Sequence, residues 1–275
     1  RRGESTRALE LLGPLLGAQS SDAEALSIAG KAYARMGDFR AANLAMDRAK
    51  QLSPADAAYS AAAAVMQIEQ GRAEIGLRQL QATADADVQA IEADILLVTA
   101  YMRRNDRAAA LAALEKATAK QPTQPMLDFL RGKIHEQGGD LAAARTNYGK
   151  ALAKDARFRQ AVDSLAALDL AQMDFASARK RYEALLKLEP KSASVVMALA
   201  DVNLRGGERP AQVNALIDKS VQTDPVDVSN WLAALQLQRS LGDPVATLAR
   251  AQAANTALPE NPLILRQLAT AQLAQ

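Results

Sequence analysis

Residues 23 to 56 read AEALSIAGKAYARMGDFRAANLAMDRAKQLSPAD, and Gly37 in the middle of this stretch sets a register for the whole chain. Glycine recurs at 3, 71, 139 and 207, in steps that are multiples of 34 residues; Asn105 and Met173 fill the two remaining slots, and Gly242 follows Gly207 after 35. A fixed period of this length means that each unit buries its apolar face only against its neighbours. The spacing therefore predicts a stacked solenoid and not a globule, with a long surface as its product.

The register carries more than glycine. Asp38, Asp106, Asp140, Asp174 and Asp243 follow the anchor positions directly, and a short carboxylate there accepts the free N–H groups that open a helix. Alanine recurs at 8, 42, 110, 144 and 178, one turn further on, where a larger side chain would hold two helices apart. Pro54, Pro122, Pro190, Pro225 and Pro259 close the units, because proline removes a backbone donor and pushes the preceding residue out of helical dihedrals. One unit thus reads as helix, tight turn, helix: a helical hairpin.

Gly30, Tyr33, Gly37, Ala42, Ala49 and Pro54 stand at the spacings of the tetratricopeptide repeat, and the chain resembles that family over essentially its whole length. The resemblance implies an all-α fold, a right-handed α-solenoid of tetratricopeptide-type helical hairpins. Seven units are expected at 23–56, 57–90, 91–124, 125–158, 159–192, 193–227 and 228–261. Residues 1–22 read as the second helix of a truncated repeat, and 262–275 as a first helix without its second. Because Pro262-Leu263-Ile264-Leu265 is apolar where a terminal capping helix is normally polar, a piece of a longer array is expected. Four departures stand out: Gly76 in place of the small alanine, Val88 and Ala156 in place of the terminal proline, and one extra residue between Gly207 and Pro225. Unusual bends are expected at those joints.

Hydrophobic residues make up 49% of the chain and aromatics only 4%, so the core must be built from alanine and leucine in thin helix layers. With 33 basic and 31 acidic residues the formal net charge is +2, which argues against a basic face that holds nucleic acid by neutralising phosphates. The apolar stretches at 61–68 and 95–100 fall well short of the roughly 20 residues of a membrane-spanning helix. No cysteine is present, so neither a disulfide nor a thiolate metal site can form.

Chemistry is sparse. The one histidine, His135, occupies the first-helix position that Tyr33 and Tyr101 hold in their units, and reads as a half-buried spacer. Gly138-Gly139 and Gly206-Gly207 read as turns between helices and not as phosphate cradles. Asp163, Asp169 and Asp174 read as a solvated face and a cap, and Trp231 as core. No catalytic residue, cofactor or metal ligand is assigned.

What remains is surface. In the repeat family the first helices line the concave side, so the resemblance implies a partner-binding groove containing Lys31, Arg35, Val65, Ile68, Ile95, Met102, Arg103, Met126, Phe129 and Lys133. An apolar strip with flexible thioethers, flanked by four cations, would suit a protein or peptide segment with acidic flanks; the alternative is that several of these residues only pack on the neighbouring hairpin. The asparagine slots of the carboxylate clamp used by chaperone-binding members hold Lys31, Val65 and Thr99 here, which argues against a cochaperone.

A narrower resemblance rests on Tyr101-Met102-Arg103-Arg104, Leu114-Glu115-Lys116, Lys120-Gln121-Pro122, the run from Asp140 to Arg145, Lys150-Ala151-Leu152-Ala153-Lys154 and the run from Ala178 to Leu186. These stretches are similar to the C-terminal part of the large repeat lipoprotein of bacterial exosortase and PEP-CTERM systems, best over about residues 90–205. The resemblance implies a Gram-negative cell envelope, a periplasmic or outer-membrane-associated setting through a lipid anchor outside this chain, and a scaffold for exopolysaccharide production and export. The alternative is a regulatory or targeting array of an enzyme such as a glycosyltransferase whose catalytic domain lies outside this chain. A cytoplasmic adaptor stays open as a third reading.

Overall fold

The computed structural model describes residues 2–17, 21–54 and 56–274. Arg1, residues 18–20 and Gln275, which fall in the segments 1–22 and 262–275, lie outside it, as does Ala55. Sixteen α-helices and one short 3-10 turn, Gly13–Leu15, are found among the described residues, and no strand.

The chain divides into two compact units, Arg1–Ala144 and Arg145–Gln275. The first unit holds α1 (Arg2–Leu12) and then the pairs α2 (Ala23–Met36) with α3 (Phe39–Leu52), α4 (Ala57–Glu69) with α5 (Ala73–Ala86), and α6 (Glu92–Arg103) with α7 (Arg107–Lys120), followed by α8 (Pro125–Gln137). The division falls inside α9 (Leu141–Lys154). The second unit continues with α10 (Arg159–Ala171) and α11 (Phe175–Leu188), α12 (Ala193–Arg205) and α13 (Pro210–Thr223), α14 (Val228–Ser240) and α15 (Pro244–Ala257), and ends in α16 (Pro262–Leu273).

Every turn within a pair is built alike. Gly37, Gly71, Asn105, Gly139, Met173, Gly207 and Gly242 all have positive φ, from 58° to 87°, so the register positions are the left-handed residues that end the first helices. At Gly37 the amide donates to the Ala34 carbonyl and the next amide, Asp38, reaches back to Tyr33, both at 3.0 Å. This pair of bonds satisfies the last carbonyls of the helix. The same two bonds recur at Gly71, Asn105, Gly139, Met173 and Gly207.

The residue that closes one helix is followed by the cap that opens the next. The carboxylates of Asp38, Asp106, Asp140, Asp174 and Asp243 each accept from the amide three residues on, at 3.0 Å. Hydrogen bonds from the Ser177 hydroxyl and amide hold the Asp174 carboxyl below the usual carboxylate range. Arg72 and Arg209 take the cap position in the two turns without a capping aspartate, and neither supplies a side-chain cap.

Within each unit the packing is between near neighbours. A second helix touches its own first helix and the next one, and first helices touch in succession: α2 on α4, α4 on α6 and α6 on α8 in the first unit, α12 on α14 and α14 on α16 in the second. Second helices make no comparable contact with one another among the described helices. Ala42, Ala110, Ala144 and Ala178 are fully buried, as the close approach of the paired helices requires.

The departures have local explanations. At Gly76 an added Cβ would sit 2.4 Å from the Ala64 carbonyl oxygen and 2.5 Å from Cγ1 of Ile68, so α5 lies nearer to α4 than an alanine would allow. The extra residue of the 193–227 unit is absorbed in the turn between Gly207 and Pro210. Helix α13 keeps the 14 residues of the other second helices, and Val213 takes the buried alanine site.

Two stability predictions follow from this backbone. Alanine is the better helix former by about 1 kcal/mol, yet a carbonyl oxygen cannot move aside cheaply, so Gly76→Ala should destabilise the protein by about 1–3 kcal/mol. Chemical denaturation measures it, and an unchanged or higher midpoint would contradict the close approach. Met173 is a bulky residue at φ 59° with its side chain 73% exposed, so it contributes conformational strain and little packing. Met173→Gly should therefore raise stability by about 0.5–1 kcal/mol, the relief of the left-handed conformation outweighing glycine's extra freedom in the unfolded chain.

Candidate functional site

The inward first-helix positions of the first unit separate into three groups. Lys31 and Arg35 are exposed on α2. Val65, Ile68, Ile95, Met102 and Met126 are half-buried and pack against the core cluster that runs from Ala61 to Ile134. Ile68 is turned toward Gly76 of its own hairpin. Phe129 is half-buried on α8. Much of the expected apolar strip thus serves hairpin packing as well as surface.

Met102, Arg103 and Lys133 do come together. With Thr99, Glu136 and Gln137 they line an open cleft of about 430 Å³ between α6 and α8. The Thr99 hydroxyl donates to the Ile95 carbonyl of its own helix at 2.7 Å, and the Gln137 amide donates to the Met102 carbonyl at 3.0 Å, which ties α8 to α6. Lys133 Nζ lies 2.8 Å from Glu136 Oε2. Of the expected flanking cations Lys133 is thus paired, and Arg103, exposed and without a partner among the described residues, is the unpaired charge the cleft offers. Sequence reasoning missed Glu136, although Lys and Glu three apart on a helix are an ordinary side-chain pair.

Several charges elsewhere are structural. His135 Nδ1 is 3.1 Å from the Arg107 guanidinium and 3.5 Å from the Asp140 carboxylate, and its half-buried ring joins the turn to α7. No group of three or more potential metal ligands occurs among the described residues, and no described helix is long and apolar enough to cross a membrane. Lys120 bridges the Asp94 carboxylate and the Ala84 carbonyl, each at 2.6 Å, which ties α5, α6 and α7 together.

Asp169 is not part of a solvated face. It is 2% exposed and is held by the guanidinium groups of Arg145 on α9 and Arg181 on α11. Asp163 is more open; it pairs with Arg159 at 2.7 Å and accepts from the Tyr182 hydroxyl at 3.0 Å. Burial, then the Asp163 charge, pushes the Tyr182 phenol above its ordinary pKa. Trp231 is buried, with its indole N–H on the Pro225 carbonyl at 2.8 Å, and belongs to the core.

Residues 95–161 and 164–228 match the tetratricopeptide repeat family. Those two stretches are tetratricopeptide repeats, and the helical hairpins on either side of them are of the same type in fold. No curated protein matches it. Among solved structures, a tetratricopeptide repeat protein from Parabacteroides merdae is similar at 16% identity and a TM-score of 0.52, over 91% of this chain and 98% of that one. Yeast Tom70 is similar at 14% identity and a TM-score of 0.68, over 99% of this chain and 59% of that one. A chain of the Cut9–Hcn1 hetero-tetramer of the APC/C is similar at 13% identity and a TM-score of 0.51, over 98% of this chain and 53% of that one. At these identities the likeness concerns the fold.

The Asp169 cluster generates a prediction that separates pairing from packing in this tetratricopeptide array. Asp169→Ala leaves two arginines facing each other without their counter-ion and should cost about 3 kcal/mol. Replacing Arg145, Asp169 and Arg181 together by apolar residues of similar size should recover most of that loss, as measured by denaturant midpoints. A triple variant no better than Asp169→Ala would show that the ion cluster itself is required.

Proposed function

We propose that this chain is a non-catalytic protein–protein interaction scaffold that takes an extended partner segment in the α6–α8 cleft. Its repeats are of a type that forms interaction scaffolds, and the observation that carries the reading is the composition of the cleft. Met102 offers a polarizable, adaptable surface, the Gln137 bond ties α8 to α6, and Arg103 stands ready for a carboxylate. A planar guanidinium can bind a carboxylate through two parallel hydrogen bonds, so the preferred partner segment has an apolar anchor next to an acidic residue. The carboxylate of Glu136 penalises a second acid beside Lys133, which gives the contact polarity.

The proposed setting is the bacterial cell envelope, in support of exopolysaccharide production or export and exosortase-linked assembly. Its support is the sequence resemblance over about residues 90–205, together with a cleft that lies within that stretch.

The test is a photo-crosslinking comparison in envelope and cytoplasmic fractions, with the crosslinker at Thr99. Wild-type protein should capture a partner in the envelope fraction, and Met102→Ala with Arg103→Glu should weaken capture by at least about tenfold, with circular dichroism unchanged. Arg40→Glu, at an exposed position of the second helix α3 and outside the expected groove, should leave capture intact. Equal capture by the double variant would remove the cleft from the binding surface, and capture confined to the cytoplasmic fraction would overturn the envelope setting.

A further inference from the structure

The second unit has a cleft of different character on its second-helix side. Helix α11 supplies one wall as a single stripe at spacings of three and four residues, from Ser177 to Leu188, a run of about 16 Å at the helical rise. Facing it are Leu152 and Ala156, with buried Val162 of α10. Ala156 stands where Pro54, Pro122, Pro190, Pro225 and Pro259 close their units, so the opening coincides with a departure from the register. The volume is about 450 Å³.

The polar groups are gathered at one end. Ser177, Lys180 and Arg181 lie in the first half of the stripe, and Ala184, Leu185 and Leu188 in the second. Arg181 is committed to buried Asp169, and the Ser177 amide and hydroxyl to Asp174. Lys180 is exposed and has no partner among the described residues. A ligand therefore meets one available positive charge and then an apolar slot.

We propose that this slot binds a single-chain amphiphile with a carboxylate head, the head at Lys180 and the acyl tail along Leu152, Ala184 and Leu188, above the buried Leu185. Charge and hydrogen-bonding capacity select this occupant over a peptide. The apolar half offers no side-chain donor or acceptor, so an extended peptide would leave backbone N–H and C=O groups unpaired against it, a costly burial. A helix pairs its own backbone, but laid over this open cleft it brings one face to a single available cation, Lys180, which matches the one charge of a fatty-acid head and not an acidic stripe along a helix. An acyl chain has no polar group to satisfy, and each methylene it removes from water is favourable. The inference is independent of the α6–α8 cleft, which lies in the other unit.

Isothermal titration with dodecanoate below its micellar concentration tests it, with dodecyltrimethylammonium as the probe of equal tail and opposite head. Wild-type protein should bind one dodecanoate saturably. Lys180→Glu should weaken dodecanoate by about tenfold and improve dodecyltrimethylammonium. Ala184→Phe should fill the slot and abolish binding of both. Both positions are exposed, so folding should be kept, which thermal melting checks; should Ala184→Phe melt early, the reversal of head preference by Lys180→Glu decides alone. Absence of saturable dodecanoate binding, or binding that neither variant alters, overturns the proposal. So does saturable binding of an acidic amphipathic peptide, sensitive to Ala184→Phe, in place of dodecanoate, which would make the slot a protein-docking surface.

Discussion

The architecture depends on one residue per repeat adopting a left-handed backbone between two helices. At that residue the chain reverses within two positions, its amide returns to a carbonyl of the helix just ended, joined in six of the seven turns by the following amide, and in five turns the aspartate that follows caps the helix about to start. Because both helix ends are satisfied locally, the hairpin needs little from distant chain, and its energy is completed by the adjacent hairpin. Glycine meets the conformational demand without strain in five turns, whereas Asn105 and Met173 meet it at a cost. That these two still take the same geometry shows how strongly the flanking helices impose it.

Most of the fold was legible because its rules are local. Period, turn residue, cap and small packing residue all lie within one unit, and each follows from backbone hydrogen bonding or steric clearance. The seven turn positions read from the register are the seven left-handed residues that end first helices, and the aspartates read as caps accept the expected amides. The inserted residue near Gly207 was legible as an insertion but not as to its effect. Only the structure shows that the turn absorbs it while α13 keeps its length. Gly76 was likewise visible as a departure, but the nearer approach of α5 to α4 depends on the Ala64 backbone across the hairpin.

The candidate surface was less legible, for a related reason. Whether an inward side chain faces solvent or its neighbour is decided by the adjacent hairpin, and one repeat read alone does not contain that information. Ile68 illustrates it: its inward position in the repeat suggests a groove residue, and in the structure it is half-buried, with Cγ1 2.5 Å from where a Cβ at position 76 would stand. Asp169 shows the converse error, since a carboxylate in a polar stretch looks solvated until two arginines from neighbouring helices close over it. The Lys133–Glu136 pair is the exception, a local i, i+3 contact that the sequence did hold.

Buried ion clusters also make the joints of this array unequal. Alanine contacts recur with the period and would let a hairpin stack on any neighbour of the same shape. Asp169 with Arg145 and Arg181, and Asp94 with Lys120 and the Ala84 carbonyl, occur at single joints and demand particular neighbours. A displaced pairing would leave a buried charge uncompensated, a penalty far larger than the difference between two alanine contacts. Such clusters add specificity of stacking order, which a nearly uniform alanine and leucine core supplies poorly. A fixed order is in turn what surface function requires, because the α6–α8 cleft and the slot along α11 each draw residues from more than one repeat.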